Sequence, residues 1–187
     1  MTITRPAVHK FTADEYQRMG EVGILCEDDR DELIEGEIVD MAAIGNRHQA
    51  AVDHLTKLFV QLAGDAAIVR VQGSVRLNER NEPQPDLVIL RPRDDFYVSQ
   101  SASPADTFLV IEVADTTLAY DRDVKAPLYA RTGMPEFWLV DTEDRSITVF
   151  RQAGPEGYSS VRTLRGAETV SPAALPEVRL TPNILFP

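Results

Sequence analysis

Two acidic residues lie where buried strands are expected, and a lysine follows them on a helix. Asp86 directly precedes the apolar run Leu87 to Leu90, and Glu112 follows the apolar run from Phe108 to Ile111. Short apolar runs rich in β-branched residues are typical of strands buried on both faces. An ionised carboxylate there is costly unless a cation or hydrogen-bond donors compensate it. Two such acids can bind a hard divalent cation through their oxygens.

The segment from Asp121 to Arg131 predicts the helix that carries Lys125. Asp121 is its N-cap or first-turn residue in this interpretation, and Asp121, Lys125 and Tyr129 follow one another at spacings of four on one helix face. A strand that ends in Glu112 and a helix that follows it can direct both charged groups to one place. Two alternatives stay open. Glu112 can be a core or strand-end residue satisfied locally, and Lys125 can be a solvated partner of Asp121.

These residues, in this order, resemble the Uma-type family of restriction-endonuclease-like proteins in the PD-(D/E)XK nuclease superfamily. The resemblance extends from about Phe11 to Arg151, and it is carried by DELIEGEIVDM (31–41), His48, Pro85-Asp86 and residues 111–141. It implies a metal-dependent nuclease that hydrolyses phosphodiester bonds, with DNA as the expected substrate.

The resemblance also implies roles for individual residues. Asp86 and Glu112 would bind Mg²⁺ or Mn²⁺, and Lys125 would position or activate the attacking water. The superfamily pattern has its lysine two residues after the glutamate, where this chain has Ala114. The following helix must therefore supply the lysine at position 125. Four further residues are expected to surround this centre as supporting contacts: Glu32, His48, Asp121 and Tyr129.

Glu32 and His48 each have a second interpretation. Residues 31–41 are typical of a hairpin around Glu35-Gly36, in which Glu32 is a surface strand residue and residues 27–32 form a solvated turn. The resemblance adds the alternative that Glu32 joins the metal cluster. His48 begins a stripe at helical spacing that continues through Val52, Leu55, Phe59 and Leu62. It therefore points inward, either as a satisfied core residue or as a supporting or substrate-phosphate contact.

The order of predicted elements indicates an α/β fold with an N-terminal helix and hairpin, and the resemblance implies that its mixed sheet, flanked by helices, is restriction-endonuclease-like. The predicted helices are 13–19, 46–63 and 121–131. The predicted strands outside the hairpin are 67–71 paired with 74–78, 87–90, 108–113, 136–141, and 146–151 paired with 158–164. Because a helix separates the Glu112 strand from the 136–141 strand, these two strands are expected to be parallel.

One domain is expected over residues 1–187, because a chain of this length that is 43% hydrophobic can bury a core. Residues 1–10 are predicted as a loose arm and residues 172–187 as a docked tail. The single cysteine, Cys26, excludes an intramolecular disulfide and fits a reducing compartment. No leader-like apolar segment and no run of membrane-spanning length occur in the sequence. We therefore expect a cytoplasmic protein with no membrane contact.

The charge distribution indicates whether the protein can bind nucleic acid. A net charge of −11 disfavours nucleic-acid binding at first sight, because phosphate contacts need Lys and Arg. Residues 12–40, however, contain eleven acidic residues and two arginines, whereas residues 66–93 contain five arginines and three acidic residues. The surroundings of Asp86 are thus mildly basic, and a bound cation would add positive charge. The expected partners are nucleic acid, DNA in particular, and a second copy of the chain in a homodimer.

Two other functions fit parts of the pattern. A non-catalytic protein that binds nucleic acid or protein on the same fold explains Ala114 and the acidic balance. A sugar hydrolase with two carboxylates needs only Asp86 and Glu112, but Lys125 and the absence of aromatic residues beside the acids argue against it. Nucleophilic serine or cysteine chemistry has no support, because GxSxG is absent and the acidic stretch around Cys26 disfavours its thiolate.

Overall fold

A six-stranded mixed sheet forms the centre of the molecule. The structure is a computed structural model that describes residues 7–26 and 30–186. A separate antiparallel hairpin consists of β1 (Asp31–Ile34) and β2 (Glu37–Asp40). The central sheet has the order β3-β4-β5-β6-β7-β8. Its strands are β3 (Ile68–Val71), β4 (Leu87–Leu90), β5 (Thr107–Ala114), β6 (Glu136–Asp141), β7 (Ser146–Gly154) and β8 (Gly157–Arg165).

Four helices accompany the sheet in the described part of the chain. They are α1 (Ala13–Glu21), α2 (Asn46–Ala63), α3 and the short α4 (Pro182–Leu185). Helix α3 is continuous through three segments: Leu118–Tyr120, the π-helical turn Asp121–Lys125, and Ala126–Arg131. A capping box fixes the start of α1, because the Thr12 side chain accepts from the Glu15 N–H and the Glu15 carboxylate accepts from the Thr12 N–H.

Alternate residues of β4 and β5 pack into two separate cores, one on each face of the sheet. On one face, Ile89 and Ile111 pack with α2 and with the C-terminal segment that contains Leu180. On the other face, Val88 and Val110 pack with α3. The alternation places every side chain of these strands in an apolar layer on one face or the other. Glu112, which continues β5 after Ile111, is therefore buried, as the sequence predicted.

The central pair β5 and β6 is parallel, with Ile111 opposite Trp138, and helix α3 lies between the two strands in the chain. The neighbouring pairs β4–β5 and β6–β7 are antiparallel. This arrangement confirms the predicted α/β class, with a mixed sheet, flanking helices, an N-terminal helix and a hairpin. The N-terminal helix and the 146–165 strand pair are each longer than predicted.

The predicted pairing of residues 67–71 with 74–78 is wrong. β3 pairs with β4 instead, with Val71 opposite Leu87. The chain turns away at Gln72, whose φ is +48°, and the Val75 N–H donates to the Pro83 carbonyl at 3.0 Å. Residues 74–78 thus bond to residues 79–83 and do not form a strand at the edge of the central sheet.

Three smaller corrections concern helices and turns. Helix α3 begins at Leu118, so Asp121 is inside the helix and is not its N-cap. Leu62 is 43% exposed, and Ala63 takes the buried position in the last turn of α2. The predicted turn 27–32 is not solvated at its end, because residues 31 and 32 belong to β1 and are buried.

Parts of three predicted segments lie outside the described residues: 1–6 of the arm, 27–29 of the turn, and 187 of the tail. Within the arm, the Lys10 ammonium donates to the Glu37 carboxylate of β2. In the tail, Leu175, Val178, Leu180 and Leu185 are buried in the core beside α2. No helix in the described ranges is long and apolar enough to cross a membrane.

Candidate active site

The register of β4 and β5 brings Asp86 and Glu112 to the same level of the sheet. Leu87 lies opposite Ile111, so the residue before Leu87 faces the residue after Ile111. The Asp86 carboxylate accepts a hydrogen bond from the Val113 N–H through Oδ2 at 2.8 Å. Both acids are buried. They lie at the carboxyl end of β5, the end at which ligands bind to parallel strands of open α/β sheets.

Lys125 reaches this pair from helix α3. Its Nζ atom donates to Glu112 Oε1 at 3.0 Å, and the Tyr129 hydroxyl donates to the same oxygen at 2.7 Å. Lys125 ends the π-helical turn, a type of turn that is frequent at functional sites. The helix thus places an ammonium group beside Glu112, although the position two residues after Glu112 is Ala114.

Glu32 is part of this cluster and is not a surface residue of the hairpin. Its side chain is buried, and Oε2 lies 3.0 Å from Lys125 Nζ. The loop before β4 holds β1 in place, since the Leu33 N–H donates to the Glu82 carbonyl at 3.2 Å and the Glu82 N–H donates to the Leu33 carbonyl at 2.8 Å. The Gln84 N–H donates to Glu32 Oε2 at 3.3 Å. The surface interpretation of Glu32 is wrong because this loop covers the strand.

His48 approaches the cluster from the start of α2, which packs on the opposite face of the sheet. Its Nε2 lies 3.0 Å from Asp86 Oδ2. A carboxylate oxygen accepts, so we assign the hydrogen of this contact to Nε2. The other ring nitrogen, Nδ1, is buried and has no hydrogen-bond partner among the described residues. His48 therefore positions Asp86 through one nitrogen and leaves the other unsatisfied.

Asp121 adds a further carboxylate to the cluster. The Thr117 hydroxyl donates to Asp121 Oδ2 at 2.6 Å, so this bond lies inside the first turns of α3. Burial raises the pKa of Asp121, while attraction to Lys125 lowers it. Asp121 and Lys125 are both buried in the π-helical turn. Contacts through Lys125 and Glu112 thus join Glu32 and Tyr129 into one set. Asp121 and the His48–Asp86 pair lie beside this set, and the charges of both aspartates act on Glu112.

The cluster carries more negative than positive charge. Burial raises the pKa of Glu112 to about 8, and the attraction of Lys125 offsets only part of the rise. Burial by itself lowers the pKa of Lys125, but attraction to the surrounding carboxylates outweighs it and raises that pKa above its ordinary value. Lys125 therefore stays protonated. The carboxylates around it favour either an additional proton or a bound cation.

A cavity of about 400 Å³ opens over the cluster. Six acidic residues of the described ranges line it: Glu32, Asp40, Asp86, Glu112, Asp115 and Asp121. The cationic side chains that line it, among the described residues, are Arg30 and Lys125, with His48 beside them. Sequence reasoning missed Arg30, Tyr120 and the 41–45 loop as cavity-lining groups. Only Tyr120 had a local signal, because it adjoins Asp121 in the chain.

The donor atoms of this cavity suit a hard divalent cation, which prefers carboxylate oxygens. Within the described ranges, however, no three His, Cys, Asp or Glu side chains are arranged to hold an ion. Glu112 Oε1 is bonded to Lys125 and Tyr129, and Asp86 Oδ2 to His48 and Val113. The residues fit the cation by donor type and charge. Each carboxylate also has a second oxygen, Glu112 Oε2 and Asp86 Oδ1, that takes no part in these four hydrogen bonds.

Comparison with known proteins identifies the family to which this chain belongs. A sequence model of the Uma2 family, described as "Putative restriction endonuclease", matches residues 13–183. The chain belongs to the Uma2 family. The match includes all seven predicted site residues, from Glu32 to Tyr129. None of the curated proteins compared with this Uma2 chain matches it.

A solved structure shows that the fold of this Uma2 protein has a known counterpart. It is the crystal structure of a protein from Anabaena variabilis ATCC 29413 described as "a putative nuclease belonging to DUF820". The two chains are 18% identical, with a TM-score of 0.73, and the match covers 94% of this chain and 97% of the other. At that identity, the likeness establishes the fold. Family and fold together suggest a restriction-endonuclease-like hydrolase, a class that generally uses divalent metal ions.

Proposed function

We propose that this protein is a metal-dependent nuclease that hydrolyses phosphodiester bonds in nucleic acid, with DNA as the polymer. The observation that carries the proposal is the 3.0 Å contact between Lys125 Nζ and Glu112 Oε1. It supplies an ammonium group beside the acid at the end of β5, in a family described as "Putative restriction endonuclease". Asp86, Glu112 and Lys125 are the proposed catalytic residues.

Hydrolysis forms a bond from phosphorus to a water oxygen and breaks the bond from phosphorus to the leaving oxygen, which takes up a proton. Asp86 and Glu112 are the proposed ligands of Mg²⁺ or Mn²⁺. A bound divalent cation supplies positive charge that stabilises the phosphate and lowers the pKa of the attacking water. Lys125 offsets negative charge that develops on the phosphate and orients the water.

The other residues of the cluster orient these groups. The Tyr129 hydroxyl fixes one oxygen of Glu112, and His48 fixes one oxygen of Asp86. Glu32 shares Lys125 with Glu112, which holds the ammonium between two carboxylates. A homodimer is the proposed assembly, because the nucleases that this chain resembles often act as two subunits.

A non-catalytic binding protein on the same fold is the second candidate. Two observations favour it: position 114 is alanine, and both Lys125 and Tyr129 are bonded to Glu112 Oε1 in the described conformation. Such a protein would bind nucleic acid or a protein partner without needing the carboxylates for chemistry. Its binding would survive replacement of Asp86, and no substrate would be turned over.

Calorimetric titration with Mn²⁺ or Mg²⁺ is the first test, because it needs no knowledge of the substrate. We expect the wild type to bind the cation and Asp86→Ala to lose that binding. Asp53→Ala is the matched control, since Asp53 is an exposed acid on α2. Folding of each variant is checked by circular dichroism.

Cleavage of labelled nucleic acid then tests the reaction. We expect Asp86→Ala and Glu112→Ala each to lower the rate by at least about a hundredfold, the scale of losing a group that stabilises developing charge. Asp53→Ala should keep the wild-type rate. Turnover that persists in the Asp86→Ala, Glu112→Ala double variant contradicts the assignment of this site.

A further inference from the structure

The cavity has two walls of different chemistry. One wall is the ionic cluster around Lys125. The other, the apolar wall, consists of the end of β2 and the segment that joins β2 to α2. Apart from Asp40, it presents apolar groups to the cavity: Val39, Met41, Ala42, Ala43 and Ile44. Tyr120 lines the same space, next to Asp121 in α3. A ligand of this cavity therefore meets charge on one side and apolar and aromatic surface on the other.

The proposed catalytic groups line this cavity and are nearly inaccessible to solvent. Asp86 is 4% exposed, and Glu112 and Lys125 are each 3% exposed. The cavity volume of about 400 Å³ is in the range that holds one small organic molecule. A paired duplex is a stiff rod whose bases are stacked inside it. Enzymes that must bring one nucleotide into an enclosed pocket act on single strands or extrude that nucleotide.

We infer that this site takes a nucleotide that is not base-paired, with its phosphate toward the carboxylate cluster and its base against Tyr120 and the apolar wall. The inference rests on the proposed nuclease function and narrows its substrate to single-stranded or locally unpaired nucleic acid. In a continuous, fully paired duplex the bases are stacked on one another and cannot contact Tyr120 and the apolar wall, so that contact requires local loss of pairing.

Tyr120 is the group that we assign to base contact. It is half-buried at the start of α3, so one part of the ring packs on the protein while the rest faces the cavity. Stacking of a base on an aromatic ring tolerates any sequence, because every base has a π-face. The apolar residues Met41 and Ile44 on the facing wall can cover the other side of the base.

The charge around the cavity supports the same substrate. A protein that follows a duplex needs a row of Lys and Arg along the phosphates. Among the described residues that line the cavity, Arg30 and Lys125 face six acidic residues. Phosphate attraction alone is therefore weak here. An unpaired strand adds contacts between its bases and Tyr120 that do not depend on net charge.

The first part of the test compares substrates. Oligonucleotides of one sequence are offered to the wild type with Mg²⁺ or Mn²⁺ as a single strand, as a fully paired duplex, and as a duplex with an unpaired segment. We expect cleavage of the single strand and of the unpaired segment, with the fully paired regions intact. Equal cleavage of the fully paired duplex overturns this inference and leaves the proposed nuclease function standing.

The second part measures binding, so that it gives an answer even if no substrate is cleaved. Binding of the protein to the labelled single strand is followed by fluorescence anisotropy, with Ca²⁺ in place of the Mg²⁺ or Mn²⁺ of the cleavage assay. Tyr120→Ala should weaken binding roughly five- to hundredfold, the effect of losing one stacking partner, and Tyr120→Phe should keep it. Phe96→Ala is the matched control, because Phe96 is an aromatic residue that is 67% exposed and lies outside the cavity lining.

The two proposals fail in different ways. If no nucleic acid is cleaved but the single strand binds better than the duplex and needs Tyr120, the nuclease proposal is wrong and the preference for unpaired nucleotides holds. If Tyr120→Ala and Phe96→Ala bind the single strand equally well, the base-contact site is wrong, whatever the cleavage assay shows.

Discussion

Two buried glutamates on neighbouring parallel strands have opposite environments. Glu136, at the start of β6, is 1% exposed and accepts three hydrogen bonds. Its donors are Trp138 Nε1 at 2.6 Å, Arg151 Nη2 at 2.7 Å and the Ala173 N–H at 2.7 Å. Glu112, near the end of β5, shares Lys125 with other carboxylates and faces a cavity.

The comparison shows what separates a structural carboxylate from a candidate catalytic one. Burial does not, because both glutamates are buried. Glu136 has one arginine and two neutral donors, and it ties β6 to β7 and to the C-terminal segment at Ala173. Around Glu112, the charge is not balanced locally, so burial and neighbouring carboxylates raise its pKa. Where charge is unbalanced beside a cavity, the binding of a cation or a substrate can lower the electrostatic free energy of the site.

The largest effect is expected for Lys125→Met. This change leaves Glu112 and Glu32 buried without their shared cation, which costs about 3–5 kcal/mol of unfolding free energy. Urea unfolding measures the loss, and Lys57→Met, at an exposed position of α2, is the control. Added Mg²⁺ should restore part of the stability in Lys125→Met. Equal stability of the two variants would contradict the central role of Lys125 in balancing the cluster.

An intermediate effect is expected for Glu136→Gln. The amide turns one of the two acceptor oxygens into a donor, so at least one hydrogen bond from Arg151 or Ala173 is lost. We expect the free energy of unfolding to fall by about 2–3 kcal/mol, as for hydrogen bonds to charged groups. Urea unfolding and the cleavage assay are run on the same preparation. Activity per folded molecule should be unchanged, and a loss of activity would place Glu136 in the site.

At neutral pH the smallest effect is expected for Glu112→Gln, and its difference from wild type grows as the pH rises through the folded pKa of Glu112. Because the folded pKa, about 8, exceeds the ordinary value of 4.5, the stability from the neutral carboxyl is present below 4.5 and lost as the pH rises through 8. The amide cannot ionise. Thermal unfolding from pH 4.5 to above 8 should show a flatter profile for Glu112→Gln between 4.5 and 8, and greater stability than wild type above 8. A profile parallel to wild type would mean that Glu112 is ionised throughout.

Much of the candidate site was predictable from local patterns. Apolar runs beside Asp86 and Glu112 identify strands buried on both faces, and the spacing of Lys125 and Tyr129 identifies one face of a helix. The parallel pairing of β5 and β6 followed from the helix between them. Residues 74–78 were predicted to pair with residues 67–71 because their alternating pattern is typical of a strand. Such a pattern does not show which segment is the pairing partner.

The sequence by itself determined the strands, the helix and the residue types of the centre, because burial periodicity and turn residues act over a few neighbours. Only the tertiary structure decided which charges meet. Glu32 joins Lys125 because the 82–84 loop holds β1 over α3, and the cavity exists because the 41–45 segment faces the cluster. Such contacts join residues up to about ninety positions apart, since Lys125 and Glu32 meet across that separation. Their energies depend on register and packing, which no short segment encodes.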